Sequence, residues 1–494
     1  MSIEHLSRRE LLSLASSVAP AACLANAALA ADDTHEQHQA TGVKIGEVTQ
    51  AGAIVWGRVT RSATRNNDGS VRQGKPREPS PSDEQVPLLE GAVPGMPGRL
   101  RVRYKASQEA RYRATDWVEV GPATDFSHQF ELKGLEPGTP YQVVVDAAGL
   151  GGKSDFASTA ATFRTAPAAP ESSPVGFAIV TCESYRDRDL PDGFRIYKSI
   201  PATMTELGLP HDFYVQTGDA VYLDSEDPRA TSVALARYHW QRMYGLPLLV
   251  DFHAQMPGYW LKDDHDTWAD DFWPGQKRPE MGSLTYEQSL AVRRQAVPTG
   301  PLPYRTVRWG KHLQIWLMES REFRSPNNMP DGPQKTIWGS AQKEWFKQSV
   351  LDSDADWKLL ISPTPLVGPD RPTKADNHSN AAFGHEGREL RNWIAANGAG
   401  RVLVLCGDRH WQYHSVDPDS GVREFACGPA SDQHAGGAPG EDPRYHRFYR
   451  VAGGFITGEV TPLPASAASR LTLRFHDVNG KVVFVVQPAG AAGG

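Results

Sequence analysis

Three apolar runs in this chain end on residues that bind metals or move protons. That coincidence limits what the chain can fold into more than any other feature does. "FAIVTCES" runs to Cys182 and Glu183, "FYVQTGDAVYLD" to Gly218-Asp219 with Tyr222 three residues on, and "RVLVLCGDRHWQYH" to Gly407-Asp408 with His410 two on. Short apolar runs without alternation read as strands buried on both faces, and "LQIWLME" and "WKLLIS" are of the same kind. Helical stretches such as "YKSIPATMTEL", "SAQKEWFKQSVL" and "GRELRNWIAAN" lie between them, which predicts a layered α/β or α+β domain. Ligands of such domains gather off the carboxyl ends of the strands. The three polar ends are therefore expected to converge on one crevice, beside the acidic loop "DDHDTWADD" at residues 263–271.

The chain ahead of these runs has a different period. From residue 41 to 168, "AGAIVWGRV", "LRVRYKAS", "SHQFELKGL" and "YQVVVDAAG" alternate apolar and polar residues with turn signals between them. This predicts a β-sandwich of the fibronectin or Ig type, with Tyr141 placed after a Pro-Gly turn like a tyrosine corner. A polar insertion from Ser62 to about Gly95 reads as a long flexible loop, and "TAPAAPESSP" at 165–174 as an interdomain linker. The second domain is expected over 175–490, its C-terminal part a hairpin turning at Asn479-Gly480. Two domains also suit 494 residues, too many for one ordinary core.

The first 31 residues predict an export signal. Arg8-Arg9 after Ser7 lead into a modest apolar run that ends on Ala28-Leu29-Ala30, the pattern of a twin-arginine (Tat) signal. Export by the Tat machinery places the product in the periplasm or outside the cell. The net charge of −6 offers no global case for a nucleic-acid or anionic-membrane partner. Beyond the signal only Cys182, Cys406 and Cys427 remain, an odd number that argues against a disulfide framework.

Each polar element has a plain structural reading when taken alone. "GD" after a strand is often a turn, Cys182 could be a small core residue, His410 a surface histidine, and "DDHD" a solvated loop. Together they form a donor set. Carboxylate and phenolate oxygens are hard, imidazole is intermediate and a thiolate is soft, so such a set can hold a transition metal beside a harder cation. Buried carboxylates without cations would repel one another and be forced to take up protons. Two ions sharing a carboxylate can activate water and neutralise charge on a phosphoryl group.

The order Cys182, "GDAVY", "DDHD", "ESREFRSP", "WGSAQKEWF", "ISPTPLVGP", "GDRH" resembles the alkaline phosphatase D (PhoD-like) family of the calcineurin-like metallophosphoesterase superfamily, from about Val175 to His414. The resemblance implies a four-layer αββα core and a centre of Fe³⁺ with Ca²⁺; two divalent transition metals are the alternative. Carried over, Cys182, Asp219, Tyr222 and His410 are the implied iron ligands, with Asp219 bridging, while Asp264 and Asp408 face the calcium side. His265 takes the position whose imidazole stabilises the transferring phosphoryl group. Asp376, Asn377 and His378 are candidates for the remaining calcium ligands. The chain departs from the family pattern at Leu223, Lys262, Asp266, Glu319 and Phe323. Arg186, Arg188 and Arg321 are candidate contacts for a substrate phosphate, with structural ion pairs as the alternative.

The expected function is that of an exported phosphoesterase cleaving phosphate mono- or diesters by attack of a metal-activated hydroxide. Trp268, Phe272 and Trp273 would wall the site, and Asp270 and Asp271 would be solvated or support the ligands. Two other readings stand beside it: a calcium-dependent extracellular binding protein with a degenerate site, and a metal-dependent hydrolase of non-phosphate esters.

Overall fold

The alternation of side chains along each buried strand sets the layers. In strand Val175–Val180 every residue is buried, yet Phe177 and Ile179 pack into one apolar cluster while Ala178 and Val180 pack into another. Strand Trp357–Ser362 divides likewise, Leu359 and Ile361 to one side and Leu360 to the other. The computed structural model describes residues 37–151, 156–398, 400–464 and 468–488; the export signal expected over residues 1–31 lies outside them.

Two sheets share the first of these clusters. One has nine strands, in the order Val482–Val486, Ser469–His476, Phe455–Pro462, Val175–Val180, Phe213–Gln216, Gly258–Trp260, Lys44–Gly46, Gly52–Arg58, Ser127–Lys133. The other has seven: Arg305–Trp309, Leu313–Leu317, Trp357–Ser362, Val402–Cys406, Arg423–Cys427, Gln412–Val416, His446–Arg450. Phe177, Phe213 and Tyr259 of the first meet Ile315, Leu359 and Leu403 of the second in a common core. Phe177 and Phe213 stack there with ring centroids 5.4 Å apart, and truncating either to Ala would cost about 3–5 kcal/mol.

Helices close the outer faces. Ile196–Glu206 and Val233–Tyr244 cover the nine-stranded sheet through Ile200, Met204, Leu235 and Ala236, and Gly339–Leu351 and Gly384–Asn397 cover the seven-stranded one through Phe346, Val350, Leu390 and Ile394. The result is a mixed α/β architecture layered helix, sheet, sheet, helix. Val175–Val180, Phe213–Gln216 and Gly258–Trp260 run parallel to one another, as do Leu313–Leu317, Trp357–Ser362 and Val402–Cys406. Within each sheet their carboxyl ends therefore share an edge, and the polar motifs follow those ends.

The N-terminal segment is built into this architecture. Gly46 pairs in parallel with Gly258, so three early strands extend the nine-stranded sheet. A five-stranded sheet of Arg113–Ala114, Gly98–Ala106, Pro140–Ala148, Ala157–Arg164 and Val118–Val120 faces them. Contact there is close: a Cβ on Gly57 would stand 2.8 Å from Val145 Cγ1. Buried Tyr141 accepts a hydrogen bond from Glu136 N at 2.9 Å, which anchors the turn before its own strand. The Pro/Ala stretch after residue 164 also packs on the core, with Ala166 fully buried, and the described residues cluster as one unit.

The insertion from Ser62 to Gly95 is tied down rather than free. Arg72 and Arg77 reach the fully buried Asp227, Gly74 O accepts from Asp227 N at 3.0 Å, and Glu90 pairs with Arg65. Its polarity reflects partners elsewhere in the chain as well as solvent.

Candidate metal centre

The strand ends are strained at the residues that carry the chemistry. Cys182, Asp219 and Asp408 adopt left-handed backbone conformations, with φ of 52°, 59° and 63°. For residues with a Cβ this costs on the order of 1–3 kcal/mol each and persists only where neighbouring structure enforces it. Here Cys182 N donates to Gly218 O at 3.2 Å and Glu183 N to Asp219 O at 2.8 Å, which lashes the first two strand ends together. The Gln216 amide staples the same turn, donating to Gly218 O and accepting from Gly218 N. The glycines before the two aspartates answer to packing. A Cβ on Gly218 would stand 2.7 Å from Asp263 Cβ, and one on Gly407 would stand 2.5 Å from Thr217 O.

These turns bring three of the expected ligands together. Single donor atoms of Cys182, Asp219 and His410 all lie within 4.8 Å of one another. Tyr222 Oη is 3.4 Å from His410 Nε2, and Cys182 Sγ is 3.6 Å from Asp219 Oδ2. Burial, and then Asp219, pushes the Cys182 thiol well up; burial, and then Asp264, does the same to the Asp219 carboxyl. Burial and the neighbouring His434 hold His410 well below the usual imidazole range, in the neutral form that ligates metals. Asp219 Oδ1 is buried without a hydrogen-bond partner among the described residues. A cation among these donors would satisfy that oxygen and reverse the upward shifts, so the residues present fit a metal.

A chain of carboxylates leads away from this cluster. Asp219, Asp263 and Asp264 form a second group within the same 4.8 Å limit, and Asp264, Asp271 and Asp376 a third. Asp264 joins the two; its Oδ2 accepts from Asp271 N at 2.7 Å. Asp408 sits near enough to raise the Cys182 thiol, and is itself raised by burial and then by Asp376. Asp271, expected to be solvated or supporting, thus stands among potential ligands. Of the other candidates Asp376 joins the third group, Asn377 donates to Asp370 and Asp376, and His378 turns away to Glu386 at 2.9 Å.

His265 is oriented by a residue that sequence reasoning left out. Its Nδ1 stands 2.7 Å from Asp224 Oδ1, while Nε2 lies 3.7 Å from Asp270 Oδ1. Burial alone would lower its pKa, but Asp224 and Asp264 hold it well above the usual imidazole range. Asp224 lies within "GDAVYLD", five residues after Asp219, and the G-D-x-x-Y-x-D spacing was the available signal. His434 was also missed. Its Nε2 is 2.8 Å from Tyr222 Oη and its Nδ1 3.0 Å from Asp187 Oδ2. It stands in the loop stretch "SDQHAGGAPG", with no apolar run to mark it.

The arginines expected near substrate have other partners. Arg321 is fully buried, 2.5 Å from Asp263 Oδ1, so it serves as counter-charge to carboxylates and is not placed for an incoming phosphate. Arg186 pairs with Asp187, the carboxylate that holds His434, and Arg188 donates to Tyr185 O. Lys374 Nζ, outside the sequence-based set, reaches Asp271 Oδ1 at 2.6 Å. Trp268 and Phe272 are core residues under the acidic loop, edge to face at 5.6 Å.

Two departures from the family pattern are partners of each other: Lys262 Nζ stands 3.1 Å from Glu319 Oε1. Asp266 accepts from Asp263 N at 2.8 Å and so shapes the loop instead of joining the cluster.

A family model described as PhoD-like phosphatase matches residues 177–450, and a model of the PhoD-like phosphatase N-terminal domain matches residues 24–167. Alkaline phosphatase D of Bacillus subtilis (strain 168) is 22% identical over 33% of this chain and 32% of its own length, so the chain spans about a third of that curated relative. Among solved structures, one of PhoD aligns with a TM-score of 0.68 at 16% identity, covering 93% of this chain and 92% of that one. Purple acid phosphatase PPD1 from yellow lupin (Lupinus luteus) seeds aligns with a TM-score of 0.59 at 11% identity, covering 90% and 73%. At these identities the likeness to both structures is one of fold.

Proposed function

The chain belongs to the PhoD-like phosphatase family, and from that premise we propose that it is a metal-dependent phosphoesterase acting on phosphate mono- or diesters. The observation that carries the reading is the meeting of Cys182, Asp219 and His410, with Tyr222 beside them, at the ends of three separate strands. A core of ordinary packing has no need of a thiol, a carboxylate, an imidazole and a phenol at one point.

The donor set suits a ferric ion, because phenolate and carboxylate are hard ligands. Cys182, Asp219, Tyr222 and His410 would hold it. Asp219, whose Oδ1 has no hydrogen-bond partner among the described residues, Asp264 and Asp408 would hold a calcium ion beside it. When bound, the metals would draw charge from a phosphoryl oxygen and acidify water for in-line attack. His265 supplies the proton chemistry. With Nδ1–H given to Asp224, its Nε2 is the nitrogen left to hydrogen-bond or protonate an ester oxygen. The His265 ring lies next to a ligand candidate, its centroid 4.4 Å from that of Tyr222, which supports this role. The twin arginines Arg8 and Arg9 fit export of the folded protein by the Tat machinery to the periplasm or beyond, and the early sheets fit a fibronectin-type sandwich.

The test is turnover of a phosphomonoester and a phosphodiester side by side at alkaline pH, with added calcium and with a calcium chelator. Calcium-dependent turnover of either is expected, and the faster one defines the substrate class. No turnover of either by protein shown to contain its metals would overturn the reading.

A further inference from the structure

The outermost carboxylates of the centre already have a cation of the protein's own. Asp264, Asp271 and Asp376 present single oxygens within 4.8 Å of one another, the arrangement of a metal site. Asp376 is fully buried, and its Oδ2 has no hydrogen-bond donor among the described residues. Into this group comes the Lys374 ammonium, 2.6 Å from Asp271 Oδ1 and 3.8 Å from Asp270 Oδ1. Arg321 Nη2 completes the compensation, 3.6 Å from Asp264 Oδ2 and 3.8 Å from Asp376 Oδ2.

We propose that Lys374 is a built-in counter-ion that stands in for a metal at the Asp264–Asp271–Asp376 group, so that this chain confines its metals to the inner positions around Asp219. The inference rests on the proposed function only in taking the inner cluster as the metal centre. Its physical basis is charge and space. A calcium ion needs six to eight oxygens and leaves no room for an ammonium on the same carboxylate. A lysine ammonium is a compact charge with three donors, and here it is fixed by its own turn, Lys374 N donating to Arg371 O at 3.0 Å and Lys374 O accepting from Asn380 at 2.5 Å. The inner group is different in kind: among the described residues no lysine or arginine hydrogen-bonds Asp219, and its Oδ1 has no hydrogen-bond partner.

The test counts calcium, without recourse to activity. Full-length wild type, Lys374→Met and Lys374→Arg would be equilibrated with calcium, dialysed, and measured by mass spectrometry of metal content and by calorimetric titration. One additional Ca²⁺ per chain is expected in Lys374→Met alone, and it should vanish in Lys374→Met/Asp271→Asn. Equal counts in wild type and Lys374→Met would overturn the proposal. So would loss of a calcium ion from the wild type on Asp271→Asn, a measurement that stands even if Lys374→Met fails to fold. Failure of any metal to load at Cys182 and His410 would instead sink the functional reading, while the calcium difference between variants would still decide the role of Lys374.

Discussion

Asp224 Oδ1 lies 2.7 Å from His265 Nδ1, and Asp224 Oδ2 accepts a hydrogen bond from Asp270 N at 2.9 Å. One carboxylate therefore sets both the ring and the loop behind it. Removing the imidazole in His265→Ala is expected to lower kcat about 10²–10⁴-fold. Asp224→Asn should lose part of that, about tenfold or more, with KM little changed, because the ring stays but its tautomer and angle are no longer held. Steady-state kinetics of the two variants and their double mutant would check this; additive losses would show that Asp224 does not act through His265.

Asp219→Asn should abolish turnover while the fold survives. Asn tolerates the left-handed backbone almost as Asp does, so the φ of 59° is kept while the ligand charge is lost. Far-ultraviolet circular dichroism and metal content, measured with activity, separate the effects. Retained activity would refute a bridging role.

If a phenolate holds ferric iron, the protein is coloured. Tyr222→Phe should remove the visible charge-transfer band while Tyr185→Phe, at a buried tyrosine bonded to Glu90, should leave it. A band that survives Tyr222→Phe would take Tyr222 out of the ligand set.

The insertion at 62–95 is expected to matter for stability at a point next to the site. Asp227 is fully buried and holds Arg72 Nε and Arg77 Nη2, each at 2.8 Å from Oδ2, three residues beyond Asp224. Arg72→Ala/Arg77→Ala leaves the buried carboxylate with the backbone N–H of residue 77 at 3.1 Å in place of two cations, and should cost about 1–3 kcal/mol because both arginines are partly exposed, lowering kcat with it. Adding Asp227→Asn should restore much of the stability, since the charge that needed partners is gone. Denaturant unfolding of the three proteins would show it.

Glu386 gives a pH signature away from the ligand cluster. Burial would raise its pKa, but His378 Nε2 at 2.9 Å, Ile337 N and Thr336 Oγ1 bring it down to about 2. A carboxyl depressed in the folded state adds stability that is present above its unfolded pKa near 4.5 and lost as pH falls toward 2. Glu386→Gln should therefore cost about 3 kcal/mol at pH 7, with the deficit shrinking below about pH 4.5. Thermal melts across that range would check it; a constant deficit would mean packing, and not charge, is lost.

Much of the centre was legible in the sequence because strand ends are local events. An apolar run that stops on Gly-Asp marks a buried strand and its polar terminus together, and this carried Cys182, Asp219, Tyr222 and His410. Arg321 was legible as a cation near the site but not as the partner of Asp263, since an ion pair between loops 58 residues apart leaves no periodic trace. His434 ends a single 3-10 turn, Asp432–His434, and Lys374 sits in a loop; in neither does the spacing say which way a side chain turns.

By itself, the order of apolar runs and polar ends determined a layered α/β core with a metal-type donor set at its strand termini, because burial and alternation are written residue by residue. Tertiary structure alone decided what those donors share: which carboxylates lie within 4.8 Å, that Gly46 pairs with Gly258 and joins the early strands to the main sheet, and that Cys182, Asp219 and Asp408 are held in the left-handed region. These depend on distances and strain between segments far apart in the chain, and such energies exist only once the strands have packed.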